Sequence, residues 1–231
     1  MLASQSRALI LLLGTAAVAW AVTAERMQGM DEGPGTHLGG LGWYLGIWVT
    51  MMAAMMLPTA VPAAARLARA LPTLSFAVGY LAVWTVYGLL AYALFRLVTS
   101  LEIGWLAWDE AGPYLAGGVL AAAGLYELTP VKHRFLARCR APGEASGVRY
   151  GIECVGCCFG LMAALFALGV MSLTWMVVVA GVIFAEKVLP RGMHLARVVG
   201  FALIVLGIWV AVSPGSVPGL TDPSMGMEMM T

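Results

Sequence analysis

The hydrophobic and polar positions along the chain divide it into long apolar stretches, separated by short segments that carry most of the charges. A helix needs about 20 apolar residues, and about 17 suffice, to cross a hydrocarbon core about 30 Å thick. Backbone groups in lipid must be hydrogen-bonded within their own segment, so spanning segments of this kind are helices. The pattern predicts seven spans, over residues 8–24, 41–57, 74–98, 113–128, 151–171, 173–189 and 198–212.

Residues 151–189 are apolar almost throughout, so this stretch is compatible with either one very long helix or two. Basic residues flank it on both sides, with Arg149 before it and Lys187 and Arg191 at its end. A tight hairpin within residues 169–174 would return both ends to the same side of a membrane, and we therefore predict two spans. In the second span, Pro58 and Pro62 are expected to end or kink the helix.

Composition excludes a soluble globular domain. Hydrophobic residues make up 61% of the chain and charged residues 11%, against about 45–50% and about 25% in ordinary soluble domains. A soluble chain this apolar would expose large aggregating patches. Phosphate-binding loops, dinucleotide fingerprints and hydrolase motifs are missing from the sequence, and nothing in it points to nucleic acid. We predict an all-α polytopic transmembrane helix bundle that forms one integral membrane domain over residues 1–231, and we assign no catalytic residue.

The distribution of charge predicts an orientation. With the N-terminus inside, eleven of the 13 Lys and Arg residues lie on the inner side, and only Arg26 and Arg96 lie on the outer side. Seven tryptophans fall toward the outer side, as an interfacial belt would: Trp20, Trp43, Trp48, Trp105, Trp108, Trp175 and Trp209. The prediction is a multi-pass protein of a bacterial cytoplasmic (inner) membrane, N-in and C-out. The first span also resembles a signal peptide, and its removal would leave six spans.

Two groups of sulfur-containing residues are candidate metal ligands. In the second span Met51, Met52, Met55 and Met56 fall within one short helical segment. In the fifth, Cys154, Cys157 and Cys158 are spaced i, i+3, i+4 and share one helix face with Met162. Thioether and thiolate sulfur suit Cu(I), and thiolates also suit zinc. The simpler alternative is that methionine and free cysteine only fill the core. Both groups lie near the inner ends of their spans, so we expect them to be neighbours in space.

Ionisable residues lie at the same predicted depth. Glu127 ends the fourth span, and Glu186 and Lys187 end the sixth. Such residues are functional candidates, although long side chains at helix ends often only reach toward headgroup water. If Glu127 faces the bundle, it needs a proton, a cation or Lys187 to neutralise it. Cys139 lies in the basic segment 129–149, which we interpret as an inner loop, and it would either relay metal or be inert.

The C-terminal segment 215–231 is rich in methionine and is predicted to be a disordered outer tail. Spaced methionines beside an acidic residue are typical of segments that hold Cu(I) in oxidising compartments. Residues of the first outer loop would join them: Met27, Met30, Asp31, Glu32 and His37.

Several linked motifs carry a resemblance over about residues 48–191. In order they are Met-Met-Leu-Pro, Tyr-Glu-Leu-Thr-Pro-Val-Lys, Cys-Arg-Ala-Pro, Cys-Val-Gly-Cys-Cys-Phe-Gly-Leu-Met, Gly-Val-Met-Ser and Glu-Lys-Val-Leu-Pro. The chain resembles an uncharacterised bacterial family of predicted metal-binding integral membrane proteins. The matching positions are Met51, Met52, Met55, Met56, Pro58, Tyr126, Thr129, Pro130, Lys132, Cys139, Cys154, Cys157, Cys158, Met162, Met171, Glu186 and Lys187. The chain departs from the family pattern at Glu127, Phe159 and Ser172, where glutamine, tryptophan and asparagine are usual.

We therefore predict a membrane protein that binds a soft metal, Cu(I) before zinc, near its cytosolic side. It would move copper or deliver it to a partner enzyme. Two alternatives remain open at this point. One is a membrane thiol oxidoreductase that uses Cys157 or Cys158, with Cys139 resolving. The other is a structural or assembly subunit of a larger membrane complex, in which the sulfur-rich faces only pack.

Overall fold

A computed structural model of the protein describes residues 2–27, 40–64, 70–100, 112–141, 146–169 and 172–213. Within these ranges the chain forms eight α-helices and no strand, which confirms the predicted all-α class. They are α1 (Leu2–Met27), α2 (Leu41–Ala64), α3 (Ala70–Ser100), α4 (Gly112–Glu127), α5 (Pro130–Arg140), α6 (Gly147–Gly169), α7 (Leu173–Val188) and α8 (Gly192–Val212).

Each predicted span overlaps one of these helices. In the described part of the chain, five helices are long and apolar enough to cross a membrane: Ile10–Met27, Leu41–Ala64, Pro72–Val98, Gly147–Gly169 and Gly192–Val212. The helices at the predicted fourth and sixth spans, α4 and α7, have 16 residues each. They are shorter than the about 20 residues that a perpendicular crossing needs.

The apolar stretch 151–189 forms two helices. α6 ends at Gly169, whose φ of 105° is readily adopted only by glycine. The Ser172 backbone N–H donates to the Gly169 carbonyl at 3.0 Å, and α7 begins at Leu173. The alternative of one long helix is therefore wrong.

Of the two effects expected of Pro58 and Pro62, an end or a kink of the helix, the structure excludes the end, because α2 continues through both prolines to Ala64. A proline inside a helix removes a backbone donor, so the Ala54 and Pro58 carbonyls lose their partners in the helix. Near these positions the Thr59 hydroxyl donates to the Met56 carbonyl at 2.8 Å, and the Tyr150 hydroxyl donates to the Thr59 carbonyl at 3.3 Å.

The basic segment 129–149 is not simply a loop, because α5 occupies most of its first half. Thr129 caps this helix by accepting a hydrogen bond from the Lys132 backbone N–H at 3.2 Å, and Pro130 follows in the first turn. Both are standard signals for a helix start. The buried residues Lys132, Leu136 and Cys139 form a stripe on one side of α5, so this helix lies against the bundle.

Glycines bring α4 and α8 into close contact. A Cβ atom at Gly117 would lie 2.5 Å from the Gly207 carbonyl oxygen, and one at Gly124 would lie 2.5 Å from the Gly200 carbonyl oxygen. Small residues spaced along facing helices allow backbones to approach in this way.

Aromatic side chains fill the contact between α2 and α3. Trp48 is buried and donates from Nε1 to the Trp84 carbonyl at 2.8 Å, and the Tyr44 hydroxyl donates to the Gly88 carbonyl at 3.2 Å. Trp48 also stacks on Phe166 of α6, with ring centroids 5.6 Å apart. Trp48 therefore packs inside the protein. Its predicted place in an interfacial aromatic belt is wrong.

Candidate metal centre

Three thiols on α6 converge at one point inside the bundle. The Sγ atoms of Cys154, Cys157 and Cys158, here called the thiol cluster, all lie within 4.8 Å of one another. Cys158 Sγ is 4.0 Å from Cys154 Sγ and 3.6 Å from Cys157 Sγ. All three cysteines are free and at most 1% exposed. The predicted i, i+3, i+4 face is thus turned into the core, where it forms a compact set of soft donors.

Cys139 brings a fourth thiol to this cluster from a different helix. Its Sγ lies 3.4 Å from Cys157 Sγ, and the side chain is 7% exposed. Sulfur atoms placed tetrahedrally around an ion with bonds of about 2.3 Å are about 3.8 Å apart. Within the thiol cluster the separations of 3.6 and 4.0 Å lie close to that value, so its three thiols fit one soft ion without large movement. Cys139 contacts Cys157 and lies outside the set of thiols that are all within 4.8 Å of one another.

Lys187 points into the thiol cluster. Its Nζ lies 2.8 Å from Cys154 Sγ and 3.3 Å from the Thr59 hydroxyl. The Tyr80 hydroxyl contacts the same sulfur at 3.0 Å. The interpretation of Lys187 as a side chain that reaches out to headgroup water is therefore wrong. An adjacent ammonium group favours the thiolate form of cysteine, which is the form that binds metal.

A buried ion triad lies beside the cluster. Lys132 of α5 pairs with the Glu127 carboxylate of α4 and, at 2.8 Å, with the Glu186 carboxylate of α7. Glu127 faces the bundle, and for that case the sequence required a proton, a cation or Lys187 to neutralise it; the partner in the structure is the Lys132 cation. Burial alone would lower the pKa of Lys132, but the two carboxylates outweigh it and raise that pKa above its usual range. Lys132 therefore stays charged, and it faces two acidic groups.

Glu127 also marks how close the ion triad lies to α6. A Cβ atom at Gly160, three residues after Cys157, would lie 3.0 Å from Glu127 Oε1. Glu186 is next to Lys187 in α7, so the triad and the thiol cluster meet at the same end of that helix. The two groups are therefore neighbours, joined through the adjacent residues Glu186 and Lys187.

The methionines belong to the same buried core as the thiols. Met51, Met52, Met55, Met56 and Met162 are each at most 2% exposed and lie in one hydrophobic cluster with Cys154, Cys157 and Cys158. Thr59, three residues after Met56 in α2, accepts a hydrogen bond from Lys187, and Lys187 in turn contacts Cys154. This contact connects α2 with the thiol cluster. Direct sulfur-to-sulfur ligation by the two groups stays a prediction.

Sequence reasoning missed four residues of this region: Lys132, Tyr80, Thr59 and Tyr150. Lys132 had been counted only as an inner charge and as a position of the family pattern. The sequence does carry a signal for its role: Lys132 lies in the first turn of a helix capped by Thr129 and follows the acidic residue Glu127 by five positions. The remaining ligands predicted on the outer side, Met30, Asp31, Glu32, His37 and the tail 215–231, lie outside the described residues, as does Met171.

With this geometry in place, comparison with known families is decisive. A family model described as PpoB2, copper chaperone, matches residues 45–210, more than two thirds of the chain. The chain belongs to the PpoB2 copper chaperone family. The matched region includes α3 to α7 in full and all four cysteines. Neither the curated proteins nor the solved structures include a match to the chain. Membership of this family confirms the predicted resemblance and connects the buried thiols with copper binding or delivery.

Proposed function

We propose that the protein binds Cu(I) on Cys154, Cys157 and Cys158 and delivers it to a copper-using partner enzyme. The observation that carries the proposal is the convergence of three buried free thiols within 4.8 Å in a member of a copper chaperone family. Copper is the cargo in this account. Thiolates are soft ligands that suit Cu(I), and zinc is the second metal that such a donor set accepts.

Thiolate ligands also suit delivery. Cu(I) can pass from one sulfur to the next by ligand exchange, without a change in oxidation state. Cysteine must lose its proton to bind the metal, and two or three thiolates around one Cu(I) leave net negative charge. Lys187, 2.8 Å from Cys154 Sγ, supplies a compensating positive charge inside the protein.

We propose that the methionines and the ion triad assist this site. The buried thioethers of Met51, Met52, Met55 and Met56 offer weaker soft donors on α2, and Met162 lies one helical turn beyond Cys158. Neutral thioethers suit transient binding, because they hold Cu(I) without adding charge. Glu127 and Glu186, the carboxylates of the neighbouring ion triad, are the candidates to receive protons released by the thiols.

The proposed topology is seven membrane spans, N-in and C-out, in a bacterial inner membrane, with the thiol cluster in the cytosolic leaflet and the Met-rich tail outside. The positive-inside bias and the apolar helices support it. Single Ser146→Cys and Arg191→Cys variants place labels just before α6 and just after α7, at exposed positions. Both labels should report the cytosolic side. Labels from opposite sides would rule out this topology.

The function is tested by metal analysis of the full-length protein in detergent under reducing, anaerobic conditions. Competition with a chromophoric Cu(I) chelator should show one tightly bound Cu(I) per chain. A Cys154→Ser, Cys157→Ser, Cys158→Ser triple variant should lose it, while Ala137→Ser on the exposed side of α5 should keep it. Equal copper binding by the triple variant and the unmodified protein would reject the proposed site.

A membrane thiol oxidoreductase is a second candidate, and one observation favours it. Cys139 Sγ and Cys157 Sγ are 3.4 Å apart, close enough to form a disulfide after a small rotation of the side chains. This candidate predicts reversible thiol–disulfide exchange, in which the pair is oxidised as a substrate disulfide is reduced to a dithiol, and it predicts no retained copper. Trapping of mixed disulfides in a Cys139→Ser variant would support it over copper delivery.

A further inference from the structure

We propose that Cys139 is the exchange ligand of the copper site, the thiol through which Cu(I) enters and leaves the buried thiol cluster. The proposal rests on the copper function above and adds to it the route that the ion takes. It also assigns a purpose to the ion triad, which is to hold α5, and hence Cys139, at the correct distance from Cys157.

Cys139 is the only one of the four thiols that comes from outside α6, and it is the most exposed of them at 7%. The other three are at most 1% exposed. On α5 it belongs to the buried stripe, while Arg134 and Arg138 of the same helix face outward. Cys139 therefore lies between the sealed cluster and the surface, which is where an entry ligand is needed.

The distances make Cys157 the contact point between Cys139 and the thiol cluster. Cys139 Sγ contacts Cys157 Sγ at 3.4 Å, and Cys157 Sγ in turn contacts Cys158 Sγ at 3.6 Å. Lys187 and Tyr80 contact the third thiol of the cluster, Cys154. A Cu(I) ion bound to Cys139 is thus within reach of Cys157 without movement of the backbone.

The transfer step is a simple ligand exchange. One bond forms between Cu(I) and the Cys157 sulfur, and the bond to the Cys139 sulfur breaks. The proton that leaves the Cys157 thiol protonates the Cys139 sulfur, so charge and protons balance. Copper remains Cu(I), and no oxidant or reductant is needed. Delivery is the reverse of this step, ending on an acceptor thiol or thioether of the partner.

Polar contacts fix the position of α5 against its neighbours. Lys132, seven residues before Cys139 and on the same side of the helix, pairs with Glu127 and Glu186. At the other end of α5, Arg140 donates to the Glu186 carbonyl. The ring of Phe135 lies so close to α6 that a Cβ atom at Gly156 would be 2.6 Å from it. Both ends of α5 are therefore tied to α7, and its middle is packed on α6, so Cys139 has a defined place.

The test measures rate and affinity separately. Full-length protein loaded with Cu(I) is mixed anaerobically with excess chromophoric chelator in a stopped-flow instrument, and equilibrium affinity is measured by competition with the same chelator. Cys139→Ser should still bind one Cu(I) but should transfer it at least about tenfold more slowly. Cys157→Ser should lower the equilibrium affinity itself, and Ala137→Ser should match the unmodified protein in both measurements.

The outcomes separate this proposal from the proposed function. Transfer by Cys139→Ser at the unmodified rate, or complete loss of its equilibrium binding, would overturn the exchange role alone. An unmodified protein that binds no Cu(I) would overturn the proposed function, and this inference with it. Alkylation of the copper-free protein, mapped by mass spectrometry, gives a check that needs no variant. Cys139 should react first, and earlier reaction at Cys154 or Cys158 would contradict the proposal.

Discussion

The contact between α4 and α8 and the contact among α5, α6, α7 and the last residue of α4 are built from opposite kinds of residue. The first joins backbones through Gly117, Gly124, Gly200 and Gly207. The second buries an ammonium group between two carboxylates next to four thiols and a second ammonium. Small residues suffice to pack helices in lipid, whereas buried charges are costly to insert. The glycine contact is explained by assembly, and the polar contact needs a functional explanation.

The largest expected effect on the unfolding free energy comes from removing the positive charge of Lys132 in the polar contact. Lys132→Met leaves Glu127 and Glu186 buried together without a cation, and removal of one partner of a buried pair typically costs about 3–5 kcal/mol. We expect a loss of that order in thermal or denaturant unfolding in detergent. A Lys132→Met, Glu127→Gln, Glu186→Gln triple variant should recover most of it. If the single variant were as stable as the unmodified protein, the triad could not be what holds α5.

The stability of the glycine contact between α4 and α8 should depend on side-chain volume and not on charge. Gly124→Leu places a side chain against the Gly200 backbone, and overpacking of this kind costs about 1–3 kcal/mol. Gly118, on the same helix, faces open space, so Gly118→Leu should change the unfolding free energy by less than about 0.5 kcal/mol. Folded Gly124→Leu protein should bind copper normally. Altered copper binding in that variant would mean that the two regions are coupled.

Lys187→Leu tests the charge beside the thiol cluster. The variant removes the ammonium group 2.8 Å from Cys154 Sγ and, unlike methionine, adds no sulfur donor. We expect Cu(I) affinity at neutral pH to fall about tenfold, or about 1.4 kcal/mol, because the negative charge of the copper-bound thiolates loses a compensating positive charge. Lys187→Arg serves as the control and should retain more of the affinity. Unchanged affinity in Lys187→Leu would leave this lysine with a packing role only.

The smallest effect is expected for Glu127→Gln. The substitution leaves Lys132 paired one-to-one with Glu186, so the unfolding free energy should change by less than about 1 kcal/mol. If Glu127 accepts protons from the thiols, the pH dependence of Cu(I) binding between about pH 6 and pH 8 should shift. Superimposable curves would show that Glu127 takes no part in binding.

Local patterns predicted most of the fold and part of the site. Long apolar runs gave the seven helices that match predicted spans, because a span is defined by its own residues. The spacing of Cys154, Cys157 and Cys158 predicted their shared face for the same reason. The short helix α5 was missed because its charges were attributed to topology alone, although Thr129 and Pro130 mark its start.

The pairings across the bundle could not be derived from periodicity. Cys139 meets Cys157, Lys132 meets Glu186 and Lys187 meets Cys154 only because of how separate helices pack. The sequence placed these residues at one predicted depth but did not assign partners. Glu127 shows what periodicity leaves open. The sequence indicated that a buried Glu127 needs to be neutralised, but the lysine that pairs with it, Lys132, lies in α5, a helix that was not predicted.

The central claim is that copper sits on cysteine sulfur inside the bundle. X-ray absorption of the copper-loaded full-length protein measures both the oxidation state and the neighbouring atoms. The account predicts a Cu(I) edge and two or three sulfur neighbours at about 2.3 Å, typical of metal–thiolate bonds, which disappear in the Cys154→Ser, Cys157→Ser, Cys158→Ser variant. A copper shell made of nitrogen or oxygen, or a sulfur shell unchanged in that variant, would contradict it.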